Sequence, residues 1–308
     1  AEKHRPHPVR IRVAACPGRN EAQMFAVVGT VPDESFPLTC SPIHVSGRKL
    51  VAETHPVPVN RGTPALLASA AKVCEFFGSD MPVACLAGDI GRGGGSRKLY
   101  AHLEETLCDS QYVSLTFHYT QPDVDWHNRV LFAIEDMGKR PVLIADAGFM
   151  YAAKMSGQAS SYDVFTPDIG ELAFLADPFA PHPFYTRGFI FHEPGRTQEL
   201  IATAYAHDNA PLCLLVKGEK DIIADSEGIL ETVSSPVVPA MEAIGGTGDI
   251  ITGLVAALSG LGYEPATACA HACLISRMAG KLAAPDPGTQ VIKIIEQIPK
   301  ALTQFYTE

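Results

Sequence analysis

Short apolar runs alternate along the chain with longer segments in which apolar and polar residues are mixed. The short runs end at glycine, proline or an acidic residue, which is typical of buried strands. Two runs flank the turn Ser226-Glu-Gly228 and predict an antiparallel hairpin of 221–225 and 229–233. The other runs predict strands at 25–30, 81–87, 112–117, 141–146, 163–167 and 212–216, with a weaker one at 51–59.

The longer segments predict helices between these strands. The clearest covers 63–77, with Thr63 as the N-cap, Pro64 at the first helical position and Gly78 at the end. Other helices are expected at 97–107, 126–136, 172–176, 197–207, 265–282 and 290–306.

This alternation of strands and helices predicts an α/β fold, a three-layer, doubly wound, mostly parallel sheet with helices on both faces. A chain of 308 residues, 46% of them hydrophobic, is long enough for one large domain. We expect a single domain over 1–308, with a polar N-terminal arm at 1–22 and an aromatic, proline-rich insertion at 178–195. The insertion suits a rim loop, a lid or a subunit contact, so we predict a homo-oligomer.

Charge and hydropathy narrow the choice of partner. The net charge is −10 and there is no long basic run, which argues against nucleic acid or an anionic membrane as a partner. No apolar run approaches the roughly 18 residues that a bilayer requires. The polar start carries no signal-peptide core. We therefore predict a cytoplasmic protein whose partner is a small-molecule substrate.

The eight cysteines form no Cys-x-x-Cys pair, and several lie in apolar stretches. This pattern predicts buried free thiols in a reducing compartment. Cys269 and Cys273 would share one face of a helix, but no second pair of ligands is close in sequence. We therefore predict no zinc site.

A glycine-rich stretch, Ala243-Ile-Gly-Gly-Thr-Gly-Asp249, runs directly into an apolar, helix-like segment. Gly245, Gly246, Thr247 and Gly248 would leave backbone N–H groups unpaired at a helix N-terminus, where the helix dipole also favours an anion. Asp249 would lie in the first helical turn, where it could take a proton from a bound group. The alternative is an N-cap aspartate after a flexible loop.

Acidic and glycine-rich segments also follow predicted strands. Asp146 ends the clearest strand and could hold a metal ion, a ribose or a loop amide. Glu171 could orient a metal ion or a water molecule, or simply be an acid in a first helical turn. The glycine-rich loop 88–96, with Arg92 and Arg97, is either a phosphate contact or a mobile surface loop.

Four segments, in their order and spacing, resemble the ribokinase superfamily and, within it, the branch that contains the ADP- or ATP-dependent NAD(P)H-hydrate dehydratases. The resemblance is strongest between about 140 and 284. The segments are Thr166-Pro-Asp-Ile-Gly-Glu171, Leu214-Leu-Val-Lys-Gly218, Ile222-Ile-Ala-Asp-Ser-Glu-Gly228 and Ile244-Gly-Gly-Thr-Gly-Asp-Ile-Ile-Thr-Gly253.

The resemblance implies a nucleotide, ATP or ADP, together with Mg²⁺. The glycine-rich loop around Thr247 would surround the phosphates of the nucleotide, and Asp249 would contact the reacting group. Lys217 and Gly218 would lie along the nucleotide.

Two segments depart from the pattern of the branch. Asp168-Ile-Gly-Glu171 stands where His-Pro-Gly-Glu is usual, and His118-Tyr119-Thr120 replaces an expected Gly-Pro-Gly. Both belong to the side expected to face the substrate. No residue is assigned as a certain metal ligand. The substrate-side candidates are His118, Asp146, Asp168 and Glu171.

Three functions remain open at this point. In a dehydratase, a nucleotide phosphate is transferred to the hydroxyl of a hydrated nicotinamide ring, and elimination then restores NAD(P)H. In a sugar or vitamin kinase, Asp249 would act as the base that takes a proton from a substrate hydroxyl. The third possibility is a nucleotide-binding sensor without catalytic activity.

Overall fold

The computed structural model describes residues 24–181 and 196–307, and within these ranges one sheet of eleven strands organises the chain. The strands are β1 (Phe25–Val31), β2 (Thr39–Ser46), β3 (Lys49–Ala52), β4 (His55–Pro58), β5 (Val83–Gly88), β6 (Ser114–His118), β7 (Val142–Ala145), β8 (Val164–Phe165), β9 (Cys213–Val216), β10 (Asp221–Asp225) and β11 (Gly228–Val233).

The strand order is β11-β10-β9-β8-β7-β6-β1-β5-β2-β3-β4. The six strands from β9 to β5 run parallel, and antiparallel strands extend the sheet at both edges. The chain moves from β1 outward to β5 and then crosses to β6 on the other side of β1. In open α/β sheets, a ligand crevice forms at the carboxyl ends of the strands beside such a switch in direction.

Ten helices are described, and they lie on both faces of the sheet. Their bounds are α1 (Thr63–Phe77), α2 (Gly94–Thr106), α3 (Val124–Glu135), α4 (Ala147–Met155), α5 (Ile169–Ala176), α6 (Thr197–Ala206), α7 (Thr247–Gly260), α8 (Pro265–Ala283), α9 (Ile292–Ile295) and α10 (Ile298–Thr307). One face is covered by α1 and α7–α10, and the other by α2–α6.

Alternation along β1 shows how the strands feed two separate cores. Phe25 and Val27 pack into the core under α1 and α7, while Ala26 and Val28 pack into the core under α2 and α3. All four side chains are buried, as expected for a strand covered on both faces. The predicted three-layer, mostly parallel α/β architecture is confirmed.

Several local predictions need correction. Thr63 is the first residue of α1 rather than its N-cap, which is Gly62. The strand β2 and the helix α4 were not predicted, and the segment predicted as one final helix is divided into α9 and α10. The N-terminal arm at 1–22 and most of the insertion at 178–195 lie outside the described residues.

The cysteine prediction was wrong for one pair. Cys40 of β2 and Cys85 of β5 are directly opposite each other and form a disulfide. Among the described free cysteines, Cys108 is exposed, while Cys74, Cys213, Cys269 and Cys273 are buried. Within residues 24–181 and 196–307, no helix combines the length and apolar character needed to span a bilayer.

Candidate active site

The glycine-rich loop leads directly into α7, as predicted. Gly246 has φ 100°, a left-handed conformation that favours glycine, and precedes the first helical residue, Thr247. The Thr247 hydroxyl donates back to the carbonyls of Met241 and Ile244, so it fixes the loop. No side chain caps α7, so the amides of its first turn remain without an intrahelical partner. The loop can therefore receive an anion.

Asp249 lies in this first turn and is buried. Its Oδ2 accepts a hydrogen bond from the Gly62 amide at 2.5 Å, and its Oδ1 lies 3.1 Å from Nε2 of His118. Burial by itself would raise the pKa of Asp249, but the contacts with His118, Lys217 and the Gly62 amide together lower the pKa. Asp249 is therefore ionised at neutral pH and able to accept a proton.

Lys217 and Asp146 form a buried ion pair next to the loop. The Lys217 Nζ donates to Asp146 Oδ2 at 2.8 Å, and Thr252 of α7 donates to the same oxygen at 2.7 Å. Burial alone would lower the pKa of Lys217, but the Asp146 and Glu171 carboxylates raise the pKa above its ordinary value. The ammonium group also lies near Gly248, within 3.7 Å of where a Cβ on that glycine would stand.

His118 is the last residue of β6 and is only 1% exposed. Besides its contact with Asp249, its Nδ1 lies 3.0 Å from the Thr63 hydroxyl. Asp249 and Thr63 thus hold the His118 ring in place, and a contact of His118 with a substrate stays a prediction. Its neighbour Tyr119 is 48% exposed, with its ring centroid 4.2 Å from that of His118.

Asp168 and Glu171 form a capping box at the start of α5. The Glu171 amide donates to Asp168, and the Asp168 amide donates to Glu171, both at 2.8 Å. Glu171 also accepts from the Tyr151 hydroxyl at 2.7 Å. Burial and the nearby carboxylate of Asp146 raise the pKa of Glu171 to about 7, against the opposing effect of Lys217. Asp168 thus has a local structural role beside the site.

Lys217 and Gly218 are held from the other side by a second buried ion pair. Arg277 of α8 donates through Nε to Asp221 at 2.7 Å, and its NH2 donates to the Gly218 carbonyl. The Gly218 amide donates to Asp221 as well. These bonds fix the turn that follows β9 and therefore the position of Lys217.

The glycine-rich loop 88–96 is closed by its own acid. The Asp89 carboxylate accepts from the amides of Gly91, Arg92, Gly93 and Ser96. These hydrogen bonds lower the pKa of Asp89 although burial opposes them. Four amides of the loop are therefore already paired with Asp89, and a phosphate contact at this loop stays a prediction.

Four residues at the site were not found from the sequence. Gly62 and Thr63 precede and begin α1, and both act through contacts with residues that are distant in sequence. Arg61 lies against the loop, its Cα 3.1 Å from the position of a Cβ on Gly246. Thr252 was present in the quoted motif, and its hydroxyl proves to bind Asp146.

The carboxylates at this edge of the sheet suit a hard divalent cation. Asp146 and Glu171 supply oxygen ligands of the kind Mg²⁺ prefers. Burial and the nearby Asp146 carboxylate raise the pKa of Glu171, and a bound cation would offset the repulsion between the two carboxylates. In the described part of the chain, the ligand atoms of Cys40, Cys85 and His102 lie within 4.8 Å of one another, but the two sulfurs of this separate group are joined in the disulfide.

Comparison with known proteins adds to this geometry. The profile of the NAD(P)H-hydrate dehydratase family matches residues 122–300. An uncharacterized protein of Methanocaldococcus jannaschii is 38% identical over 238 residues, which is 77% of this chain and 98% of that protein. A bifunctional NAD(P)H-hydrate repair enzyme of Pyrobaculum aerophilum is 31% identical over 173 residues, 56% of this chain but 31% of that larger enzyme.

A solved structure shares the fold at low sequence identity. The ADP/ATP-dependent NAD(P)H-hydrate dehydratase of Bacillus subtilis, crystallised with ATP and Mg²⁺, superposes with a TM-score of 0.55 at 13% identity. The similarity covers 94% of each chain. At this identity it establishes the ribokinase-like fold alone.

Proposed function

Because the chain belongs to the NAD(P)H-hydrate dehydratase family, a family of enzymes, we propose that it uses ATP or ADP to dehydrate hydrated NAD(P)H. The observation that carries this proposal is the position of Asp249. An ionised carboxylate stands in the first turn of α7, beside unpaired amides and next to a buried lysine. This arrangement can hold a phosphate and take a proton from a hydroxyl that attacks it.

The nucleotide phosphates are assigned to the start of α7. The amides around Gly246, Thr247 and Gly248 supply hydrogen-bond donors, and the helix dipole adds a partial positive charge. Lys217, held by Asp146, supplies a full positive charge near the same loop. Gly218 and the turn after it would lie along the rest of the nucleotide.

Asp249 would act as the base for phosphoryl transfer. Its carboxylate takes the proton of the substrate hydroxyl while the oxygen forms a bond to the terminal phosphorus and the bond to the nucleotide breaks. Phosphate then leaves the ring carbon, a proton leaves the neighbouring carbon, and the ring double bond reforms. The overall products are NAD(P)H, inorganic phosphate and the shortened nucleotide.

Mg²⁺ fits the donor set of the site, and Glu171 and Asp146 are the residues that would hold it. When bound, it would supply positive charge that stabilises the transferring phosphoryl group. In its absence Lys217 neutralises Asp146 directly, at a distance of 2.8 Å. The remaining expectations, a cytoplasmic location, a homo-oligomer and no nucleic-acid partner, stay predictions.

The proposal is tested by incubating the protein with ATP or ADP, Mg²⁺ and hydrated NADH while following the absorbance of the restored dihydropyridine. Recovery of absorbance that depends on the nucleotide is expected. If absorbance does not recover but ATP is converted to ADP on a panel of alcohols, the protein is a kinase. Nucleotide binding without either reaction would identify a sensor.

The role of Asp249 is tested by Asp249→Asn, which keeps the shape and removes the base. We expect turnover to fall by roughly 10²–10⁴-fold, the usual contribution of a general base. Nucleotide affinity, measured by calorimetry, should stay within a few-fold because the amides of α7 remain. Loss of nucleotide binding in this variant would show that Asp249 is a structural cap instead.

A further inference from the structure

His118 contacts the proposed base, although the branch that this chain resembles has a glycine-rich segment at this position. Its ring lies between the first turn of α1 and the first turn of α7. Nε2 is 3.1 Å from Asp249 Oδ1, and Nδ1 is 3.0 Å from the Thr63 hydroxyl. Both ring nitrogens therefore have partners, and the ring is 1% exposed.

The surrounding backbone is shaped to admit this contact. Gly29 of β1 pairs with His118 of β6 in parallel register. A Cβ on Gly29 would lie 2.5 Å from the His118 carbonyl oxygen and 2.6 Å from the Thr63 hydroxyl oxygen. A side chain at this position would therefore displace both His118 and Thr63. The close approach of Gly29 therefore fixes the backbone at His118 and the position of the Thr63 hydroxyl that contacts the ring.

The partners of the ring determine where its hydrogen lies. Ionised Asp249 can only accept, so Nε2 carries the hydrogen and donates it to the carboxylate. The other ring nitrogen, Nδ1, has the Thr63 hydroxyl as its partner at 3.0 Å, so both nitrogens are satisfied. Asp249 then accepts one bond on each oxygen, from His118 and from the Gly62 amide.

We propose that His118 is the positioning residue for Asp249, and that it holds the carboxylate in the orientation needed to take a proton from the substrate. The inference rests on the proposed function, because it assumes that Asp249 acts as the base. Two donors on separate elements fix both carboxylate oxygens, so the group cannot rotate. His118 itself is shielded from the substrate side and does not exchange protons with it.

The hydrogen bond from His118 also favours the ionised form of Asp249. A hydrogen bond to a carboxylate favours its charged form and lowers its pKa, so removal of His118 should raise the pKa of Asp249. The charged and titratable groups that face Asp249 are His118 on β6, Tyr119 after it, Asp146 after β7, Glu171 on α5 and Lys217 after β9. Of these, only Lys217 and His118 favour the ionised carboxylate.

The test compares His118→Leu, which removes the donor, with His118→Gln, whose amide can restore a donor near the Nε2 position. In His118→Leu we expect kcat to fall roughly 10–100-fold, while nucleotide affinity stays within a few-fold. The acidic limb of the kcat/KM profile should move to higher pH by about one unit. In His118→Gln the acidic limb of the kcat/KM profile should lie close to its position in the unaltered protein.

A second measurement does not depend on turnover. The Asp249 carboxyl ¹³C signal, assigned by its absence in Asp249→Asn, is titrated in the unaltered protein and in His118→Leu. We expect the midpoint to rise by about one pH unit in His118→Leu. Thr63→Val removes the partner of Nδ1 and keeps the shape, so it should give a smaller rise.

The outcomes separate this inference from the proposed function. Lack of activity on hydrated NADH, together with a raised midpoint in His118→Leu, would refute the function and support the contact. A midpoint and a pH profile that stay unchanged in folded His118→Leu would overturn the positioning role. If His118→Leu does not fold, Thr63→Val decides by the same titration, and a midpoint equal to that of the unaltered protein would overturn the positioning role.

Discussion

Glu171→Gln should raise the free energy of unfolding, and by more at pH 8 than at pH 5. Glu171 is held by the Tyr151 hydroxyl at 2.7 Å and by the Asp168 amide at 2.8 Å. A glutamine can satisfy both groups, because its carbonyl oxygen can accept from the amide and its NH₂ can donate to the tyrosine oxygen. The substitution therefore removes the ionisation of residue 171 and keeps its hydrogen bonds.

The magnitude follows from the pKa of Glu171, which burial and the Asp146 carboxylate raise from an ordinary value of 4.5 to about 7. Between these two values the unfolded chain loses the Glu171 proton while the folded chain keeps it. The stability that the raised pKa provides is thus complete below about 4.5 and is lost as the pH rises through 7. At about 1.4 kcal/mol for each pKa unit, ionisation costs the folded state about 3 kcal/mol at pH 8 and about 1 kcal/mol at pH 5.

The assay is urea denaturation of the unaltered protein and of Glu171→Gln at pH 5 and pH 8. We expect the variant to gain about 2 kcal/mol more stability at pH 8 than at pH 5. Glu227→Gln is a matched control, because Glu227 is exposed and its substitution should change stability by less than about 0.5 kcal/mol at either pH. An equal effect of Glu171→Gln at both pH values would refute the reasoning.

Two further substitutions test the structure around the site. Lys217→Met leaves the buried Asp146 without its cation and should lower the free energy of unfolding, measured in urea, by about 3 kcal/mol. Adding Asp146→Asn to the same chain should recover part of this loss. If the effects of the two substitutions were fully additive, the ion pair would be contradicted. Gly253→Ala should lower the free energy of unfolding by about 1–3 kcal/mol, because its Cβ would lie 2.2 Å from the Leu66 carbonyl oxygen and push α1 away from α7. Gly138→Ala is the control and should be nearly neutral, because the space around Gly138 is open. Equal effects of the two substitutions would contradict close packing of α1 against α7.

The sequence predicted the architecture because the evidence for it is local. Most of the buried parallel strands are apolar runs that end near a glycine or an acid, and most helix segments up to α6 lie between two such runs. The predicted strand ends lie within two residues of the observed ends, except at 51–59, where the single predicted strand is divided into β3 and β4. The strand β2 was missed because its residues are only partly buried and Pro42 interrupts the run.

Capping residues show where local reasoning misleads. Thr63 precedes a proline and is a residue type that is common at N-caps. In the structure Gly62 is the N-cap of α1, and the Thr63 hydroxyl contacts His118. Conversely, Asp168 and Glu171 have the spacing of a capping box, and the structure contains one. The side-chain oxygen of Asp168 thus finds its hydrogen-bond partner within the next helical turn, whereas the hydroxyl of Thr63 finds its partner in a residue that is distant in sequence.

The two halves of the site differ in how they are encoded. The half that we propose for phosphate binding consists of successive amides at one helix start, so a single contiguous motif is enough to predict it. The other half is assembled from the ends of separate strands, where the Asp249–His118 contact joins positions 131 residues apart.

That difference explains why the departures from the family pattern occur at the strand ends. A side chain at Gly246 would lie 3.1 Å from the Arg61 Cα, so the loop would have to shift. Such a shift would move several successive amides together. The contact at the end of β6 depends instead on the Thr63 hydroxyl, 3.0 Å from Nδ1 of His118, and on Gly29, where a Cβ would clash with that hydroxyl. The contact of His118 with Asp249 therefore depends on residues of β1, β6 and α1, and not on the glycine-rich loop that precedes α7.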